Sequence, residues 1–175
     1  MCQDKSQTLS RSLNFQVNYF ASSDVQKFSL LGDGVFGKVY KGCITSMNQV
    51  VVAKTVPSSR FLDILAECKI GMLMAGHINF PFMYGVVKLD TLLIEFVRDE
   101  CGAQSPTLND FFERSLDSAN MKNTLNICID LCKAIHDLYV NGILHNDLHP
   151  QNVLIKNNQC AKIIDFSKAT LVTLF

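Results

Sequence analysis

Neither sign of charge is in excess in this sequence: lysine plus arginine and aspartate plus glutamate each total 16. That balance argues against a nucleic-acid binder held by bulk electrostatics and leaves only a local basic patch as a route to such binding. Long hydrophobic runs are missing too. Nothing approaches the roughly 18 consecutive apolar residues of a membrane span, and the polar stretch Met1 to Arg11 lacks the apolar centre of a signal peptide. Cysteine is present seven times but never as C-x-x-C. An odd, scattered set suits a reduced, cytoplasmic setting better than a disulfide framework. Cys128 and Cys132, four apart in a helical pattern, read as neighbours on one helix face rather than as a metal pair. There are no internal repeats and no low-complexity segments.

What is there is enough for one folded domain. The 175 residues are 48% hydrophobic and 18% charged, a balance that supports a core. Residues 1–26 read as a tail, in which Phe15, Val17, Tyr19 and Phe20 offer a short strand or a docking segment. From Lys27 the pattern is that of a strand meander: Phe28 to Leu31 leading into Gly32, Gly34 and Gly37, continuing through Val39-Tyr40, then the β-branched run Val50 to Val56. Pro57-Ser58-Ser59 marks a helix start. The helix Phe61 to Ala75 is expected to bury Leu62, Leu65, Cys68 and Met72. Two further strands are expected at 82–87 and 91–97. A polar linker follows at 98–106, then a short helix from Leu108. A long amphipathic helix carries Leu125, Cys128, Ile129, Cys132, Ile135, Leu138 and Tyr139 as its core stripe and ends at Asn141-Gly142. Two short strands, Val153 to Ile155 and Ala161 to Ile164, come last.

Chemistry-bearing residues concentrate at four places. Glycines without side chains let backbone N–H groups approach phosphate oxygens. By itself G-x-G-x-x-G is a weak signal, and a glycine hairpin explains it equally well. A strand rather than a helix follows it, which argues against a dinucleotide-binding turn. Lys54 lies within an apolar strand, either solvated or paired with a carboxylate from the next helix; Glu67 is the first candidate and Asp63 the second. Asp147 and Asn152 sit five apart in a polar loop before an apolar strand. Asp165 ends the next apolar run. An acid to orient a hydroxyl, with an amide and an acid to share a metal, suits phosphoryl transfer.

Taken together, and in order, these stretches resemble the protein kinase family over roughly residues 27–170. Gly32, Gly34, Gly37 and Val39 match the glycine-rich loop; Val51-Val52-Ala53-Lys54 matches the strand with the phosphate-binding lysine; Glu67 stands for the helix glutamate. Ile94 matches the gatekeeper before a Glu95-Phe96-Val97 hinge. His145-Asn146-Asp147 with Asn152 matches the catalytic loop, and Asp165-Phe166-Ser167 matches D-F-G. The resemblance implies an α+β fold: a five-stranded antiparallel small lobe with one helix (27–97), a hinge (98–106) and part of a mainly helical large lobe (107–175). It implies ATP and Mg²⁺ as cofactors and a protein hydroxyl as acceptor. Asp147 would be the base. Lys54, oriented by Glu67, would hold the α and β phosphates. Asn152 and Asp165 would bind the metal, and the glycine backbone would cover the phosphates. Gly32, Val39, Val52, Leu154 and the backbone of Glu95 and Val97 would surround adenine. His145 and Phe166 would pack with Met72 and Met83.

The departures matter as much. Asn146 replaces the arginine that pairs with a phosphorylated activation loop. His149 replaces the lysine of serine/threonine kinases, or the alanine or arginine of tyrosine kinases, so the acceptor is not assigned. Ser167 replaces glycine. Val52 adds bulk where alanine is usual and is expected to weaken ATP binding. Glu67 precedes His77 by one residue more than usual, which would swing it about 100° around the helix. The family's A-P-E motif and later helices are not in the sequence, so the stripe of the long helix is expected to be partly exposed unless a partner or further segment covers it. Two other readings stay open: a non-catalytic nucleotide-binding or scaffold module, and a small-molecule kinase of the aminoglycoside or choline kinase class, in which D-L-H-P-x-N recurs.

Overall fold

The β-branched run after Asn48 forms a strand with two working faces, and the small lobe is built around it. In the computed structural model, which describes residues 17–34, 37–115 and 121–172, the chain forms β1 (Tyr19–Phe20), β2 (Val25–Gly34), β3 (Gly37–Ile44) and β4 (Gln49–Thr55). Helix α1 (Phe61–Leu73), β5 (Met83–Val87) and β6 (Thr91–Glu95) complete the lobe. The sheet order is β1-β5-β6-β4-β3-β2. On β4, alternation sends Val51 and Ala53 into a cluster with Ile44, Val87 and Leu93, while Val52 and Lys54 face the opposite side, toward the cleft between the lobes.

The five expected antiparallel strands are present, and a sixth is added at the edge. Tyr19 and Phe20 pair in parallel with Val86 and Val87, and β2 begins at Val25, so the last part of the expected tail belongs to the sheet. Val86 N–H donates to the Asn18 carbonyl, and Gly85 makes the approach possible because a Cβ there would run into that same carbonyl. Phe15 lies outside the described residues.

Helix α1 keeps part of the expected face, with Met72 partly packed against the core, and turns it toward Ile64 and Glu67. Ile64, Glu67, Cys68 and Gly71 are buried, whereas Leu62 is exposed. The helix is apolar nearly all round, so periodicity does not choose a face. Packing does: Gly71 lies against Met83, and a side chain there would overlap it. Asp63 is not a partner for Lys54; it pairs with Arg60 at 2.7 Å.

The large-lobe part contains α2 (Leu108–Ser115), α3 (Met121–Val140), β7 (Ile143–Leu144), β8 (Val153–Lys156), β9 (Cys160–Ile163) and β10 (Thr170–Leu171). Strands β8 and β9 form one antiparallel pair and β10 with β7 another. On α3 the core stripe is Ile127, Ala134 and Leu138, with Leu131 partly buried against it. The expected stripe is corrected accordingly: of it only Leu138 is buried, while Leu125, Ile129, Ile135 and Tyr139 are 40–59% exposed. This face is uncovered, in line with the expected partial exposure. Among the described residues no helix is long and apolar enough to cross a membrane.

Candidate active site

Three charged side chains from three elements meet at the back of the cleft. Lys54 Nζ, on β4, lies 2.9 Å from both Glu67 oxygens and 2.6 Å from Asp165 Oδ1. The Lys54 and Glu67 side chains are only 8% and 2% exposed. Burial works against the Lys54 ammonium, but Glu67 and then Asp165 outweigh it and hold its pKa above the usual lysine value. Burial also penalises the Asp165 carboxylate, and there Lys54 wins, holding it below its ordinary value. Glu67, the most deeply buried, is pushed upward by burial against the pull of Lys54. The extra residue before His77 does not displace Glu67, because α1 ends at Leu73 and the turn at 74–76, with Gly76 at φ 85°, takes it up.

Asp165 itself has φ 65°, a left-handed conformation unusual for a residue with a side chain. It is held there by its own contacts: Ser167 N–H donates to Asp165 Oδ1 at 3.2 Å. Phe166, 1% exposed, packs against His145 and Phe80 with ring centroids 5.3 and 5.8 Å apart. Met83 and, in part, Met72 belong to the same cluster. Burial lowers the His145 pKa, with the Ile164 carbonyl opposing; a neutral ring donates from Nε2 to that carbonyl at 3.1 Å.

At the mouth of the cleft the loop after β7 presents Asp147 and Asn152. Asn152 Nδ2 donates to the Asp147 carbonyl at 2.9 Å, which fixes the loop and commits that end of the amide. Asp147 Oδ1 accepts from Lys168 Nζ at 2.8 Å, and this hydrogen bond holds the carboxyl below its ordinary pKa. Among the described residues no three His, Cys, Asp or Glu side chains could hold a metal on their own. A hard divalent cation here would need one carboxylate, one amide and oxygens of a bound phosphate or water.

The cleft between the lobes has a volume of about 150 Å³. Val39, Val52 and Leu154 line it, as do the hinge residues Glu95 and Val97. So do Leu31 and Ile164, which the motifs did not single out; each is the apolar residue immediately before a motif residue, at Gly32 and Asp165. Gly32 itself is not part of the lining; it pairs with Val39 across the hairpin. A Cβ at Gly32 or Gly34 would meet nothing within 4 Å, leaving backbone open to a phosphate, whereas one at Gly37 would collide with the Thr55 carbonyl. The Val97 carbonyl accepts from Ser105 N–H at 3.0 Å. Glu95 also braces the hinge through its side chain. Its carboxylate accepts from Phe82 N–H and Lys162 Nζ, both at 3.0 Å.

A protein kinase domain model matches residues 25–174. This chain belongs to the protein kinase family. The kinase domain is 27% identical over 166 residues to the receptor-like protein kinase THESEUS 1 of Arabidopsis thaliana, covering 90% of this chain and 19% of that protein. It is 28% identical to the cell division control protein 2 homolog C of Antirrhinum majus, covering 85% of this chain and 53% of the relative. It is also 28% identical to the tyrosine-protein kinase TXK of Homo sapiens, covering 81% and 26%. The kinase domain thus spans about a fifth to about half of these relatives' length.

Proposed function

We propose that this domain binds Mg²⁺·ATP in the cleft and transfers the terminal phosphoryl group to a protein hydroxyl. The observation that carries the reading is the joint placement of Lys54, Glu67 and Asp165 at the back of one cleft, with Asp147 and Asn152 at its mouth. Lys54, kept charged by its carboxylates, would hold the α and β phosphates. The Gly32–Gly34 backbone would cover them, while Leu31, Val39, Val52 and Leu154 enclose the base and the Glu95 carbonyl and Val97 N–H bond its edge. Asn152 Oδ1 and Asp165 would hold Mg²⁺, which supplies neutralisation of phosphate charge. Asp147 would orient the acceptor hydroxyl and take its proton, an arrangement whose effect is positioning rather than covalent catalysis. The scattered cysteines, with no C-x-x-C pair, fit a reduced, cytoplasmic setting.

The test is Mg²⁺-dependent ATP binding and phosphate transfer to generic protein substrates by the full chain, with Lys54→Met and Asp165→Asn as controls. Binding that both changes weaken supports the nucleotide site. Binding indifferent to both overturns it, and binding without transfer to any protein removes the kinase reaction while keeping the site.

A further inference from the structure

The acceptor end of the cleft holds a cation that no kinase motif assigns. Position 149, where the resemblance puts the lysine of serine/threonine kinases, carries His149. Both ring nitrogens are engaged: Nδ1 lies 2.8 Å from Gln151 Oε1 and Nε2 lies 3.0 Å from Asn152 Nδ2. Its Nε2 is 3.9 Å from Asp147 Oδ2, beyond hydrogen-bond reach of that carboxylate. Lys168 stands on the other side of the same carboxylate, 2.8 Å from Oδ1.

The backbone under Lys168 is fixed. Asn146 Nδ2 donates to the Lys168 carbonyl at 3.1 Å and to Thr170 Oγ1 at 3.0 Å. Ala169 N–H donates to the Phe166 carbonyl at 3.0 Å, and Thr170 pairs with Leu144. The side chain is 43% exposed, with its ammonium on the Asp147 carboxylate. The departures at 146 and 149 meet Lys168 in one unit: a short amide in place of an arginine ties down the segment that carries Lys168.

We propose that Lys168 is a catalytic residue of this site, its ammonium binding the γ-phosphate where Asp147 orients the acceptor. This rests on the nucleotide reading above. Asp147 and the γ-phosphate are both anionic and must approach the same hydroxyl; a cation between them offsets that repulsion and meets the charge on the equatorial oxygens. In the transfer the acceptor oxygen bonds to the γ-phosphorus. The bond from that phosphorus to the β,γ-bridging oxygen breaks, and ADP leaves with its electron pair. The hydroxyl proton passes to Asp147, and Lys168 remains an ammonium throughout.

The experiment measures Mg²⁺-dependent affinity of the full chain for ADP and for the β,γ-imido analogue of ATP, in the unchanged protein, Lys168→Met and Lys168→Arg. Lys168→Met should weaken the analogue about tenfold, the scale of one charge-assisted hydrogen bond, and leave ADP within about twofold, with Lys168→Arg restoring most of the loss. Equal weakening of both nucleotides, with a lowered unfolding temperature, would make Lys168 structural and overturn the proposal. Unchanged affinities, or tighter analogue binding once the lysine is gone, would overturn it too. If the unchanged chain binds neither nucleotide, the functional reading falls first and takes this proposal with it.

Discussion

Lys54 Nζ sits 2.9 Å from both carboxylate oxygens of Glu67, thirteen residues further along the chain. Removing Glu67 takes one of two carboxylates from the buried Lys54 ammonium and leaves Asp165 at 2.6 Å, so the cost falls below the ~3–5 kcal/mol of a fully stranded charge. Glu67→Ala should therefore lower urea-unfolding stability by about 1–3 kcal/mol. Lys54→Met/Glu67→Leu, which strands no charge between these two positions, should recover most of it while abolishing nucleotide binding. A double variant no more stable than Glu67→Ala would show that packing, not charge pairing, dominates there.

Gly37 and Gly34 look equivalent in the motif and are not. Gly37 has φ 120° and no room for a Cβ beside the Thr55 carbonyl, while Gly34 has open space. Gly37→Ala should cost more than about 1 kcal/mol of stability. Gly34→Ala should be nearly neutral in unfolding yet weaken ATP, since it places a methyl where phosphate would lie. Thermal unfolding and nucleotide titration of the two variants separate these effects.

His145 carries a pH dependence with a defined sign. Burial lowers its folded pKa, and the Ile164 carbonyl, Asp165 and Asp147 only partly oppose this, with His149 adding to the lowering. The unfolded chain therefore binds more protons as pH falls below about 6.5, and stability must rise with pH through the window from the folded pKa up to that value. His145→Gln keeps a donor for Ile164 and removes the titration. Its unfolding free energy should show a shallower slope between about pH 5 and 7 than the unchanged chain. Equal slopes would mean that the burial of His145 is not felt as a proton-linked cost.

The cleft is legible in the sequence because it is made of short-range patterns: an alternating strand that must put Lys54 opposite Ala53, glycines at a hairpin, and polar residues between apolar strands. What is not legible depends on partners distant in sequence. Glu67 counted from His77 is one position out of step, but the helix end and Gly76 absorb the offset. Helix α3 has two apolar faces, and the longer row reads as core; β9 instead takes Ile127, Ala134 and Leu138, with Asp130 accepting from Ala161 N–H at 3.2 Å. Strand β1 is legible only as a short apolar stretch that offers a strand or a docking segment, and its parallel pairing is set by Gly85 far along the chain.

The uncovered face of α3 gives a contrast between neighbouring positions. Leu138→Ala removes buried volume and should cost about 2–5 kcal/mol. Ile135→Lys changes a residue 46% exposed and should shift stability by less than about 0.5 kcal/mol. It should also reduce self-association, because exposed contiguous apolar surface promotes it. Urea unfolding and light scattering of both variants check this; a large loss in Ile135→Lys would mean that the face is covered in solution.

Val52 sets two requirements against each other. It lies between Lys41 on β3 and Ile94 on β6 in the sheet, and its side chain lines the cleft. A β-branched residue suits the strand, yet its methyls occupy space over which a planar base would slide. Val52→Ala removes two methyls that the sheet packs only in part, so the expected loss of stability is about 1 kcal/mol. The same change widens the cleft where adenine would lie. Adenine nucleotides should therefore bind more tightly, ADP and ATP alike, because the contact is to the base and not to the phosphates. That equality is the check: calorimetric titration should give the same gain for both nucleotides. A gain confined to ATP, or none, would place the base elsewhere than between Val52 and Leu154.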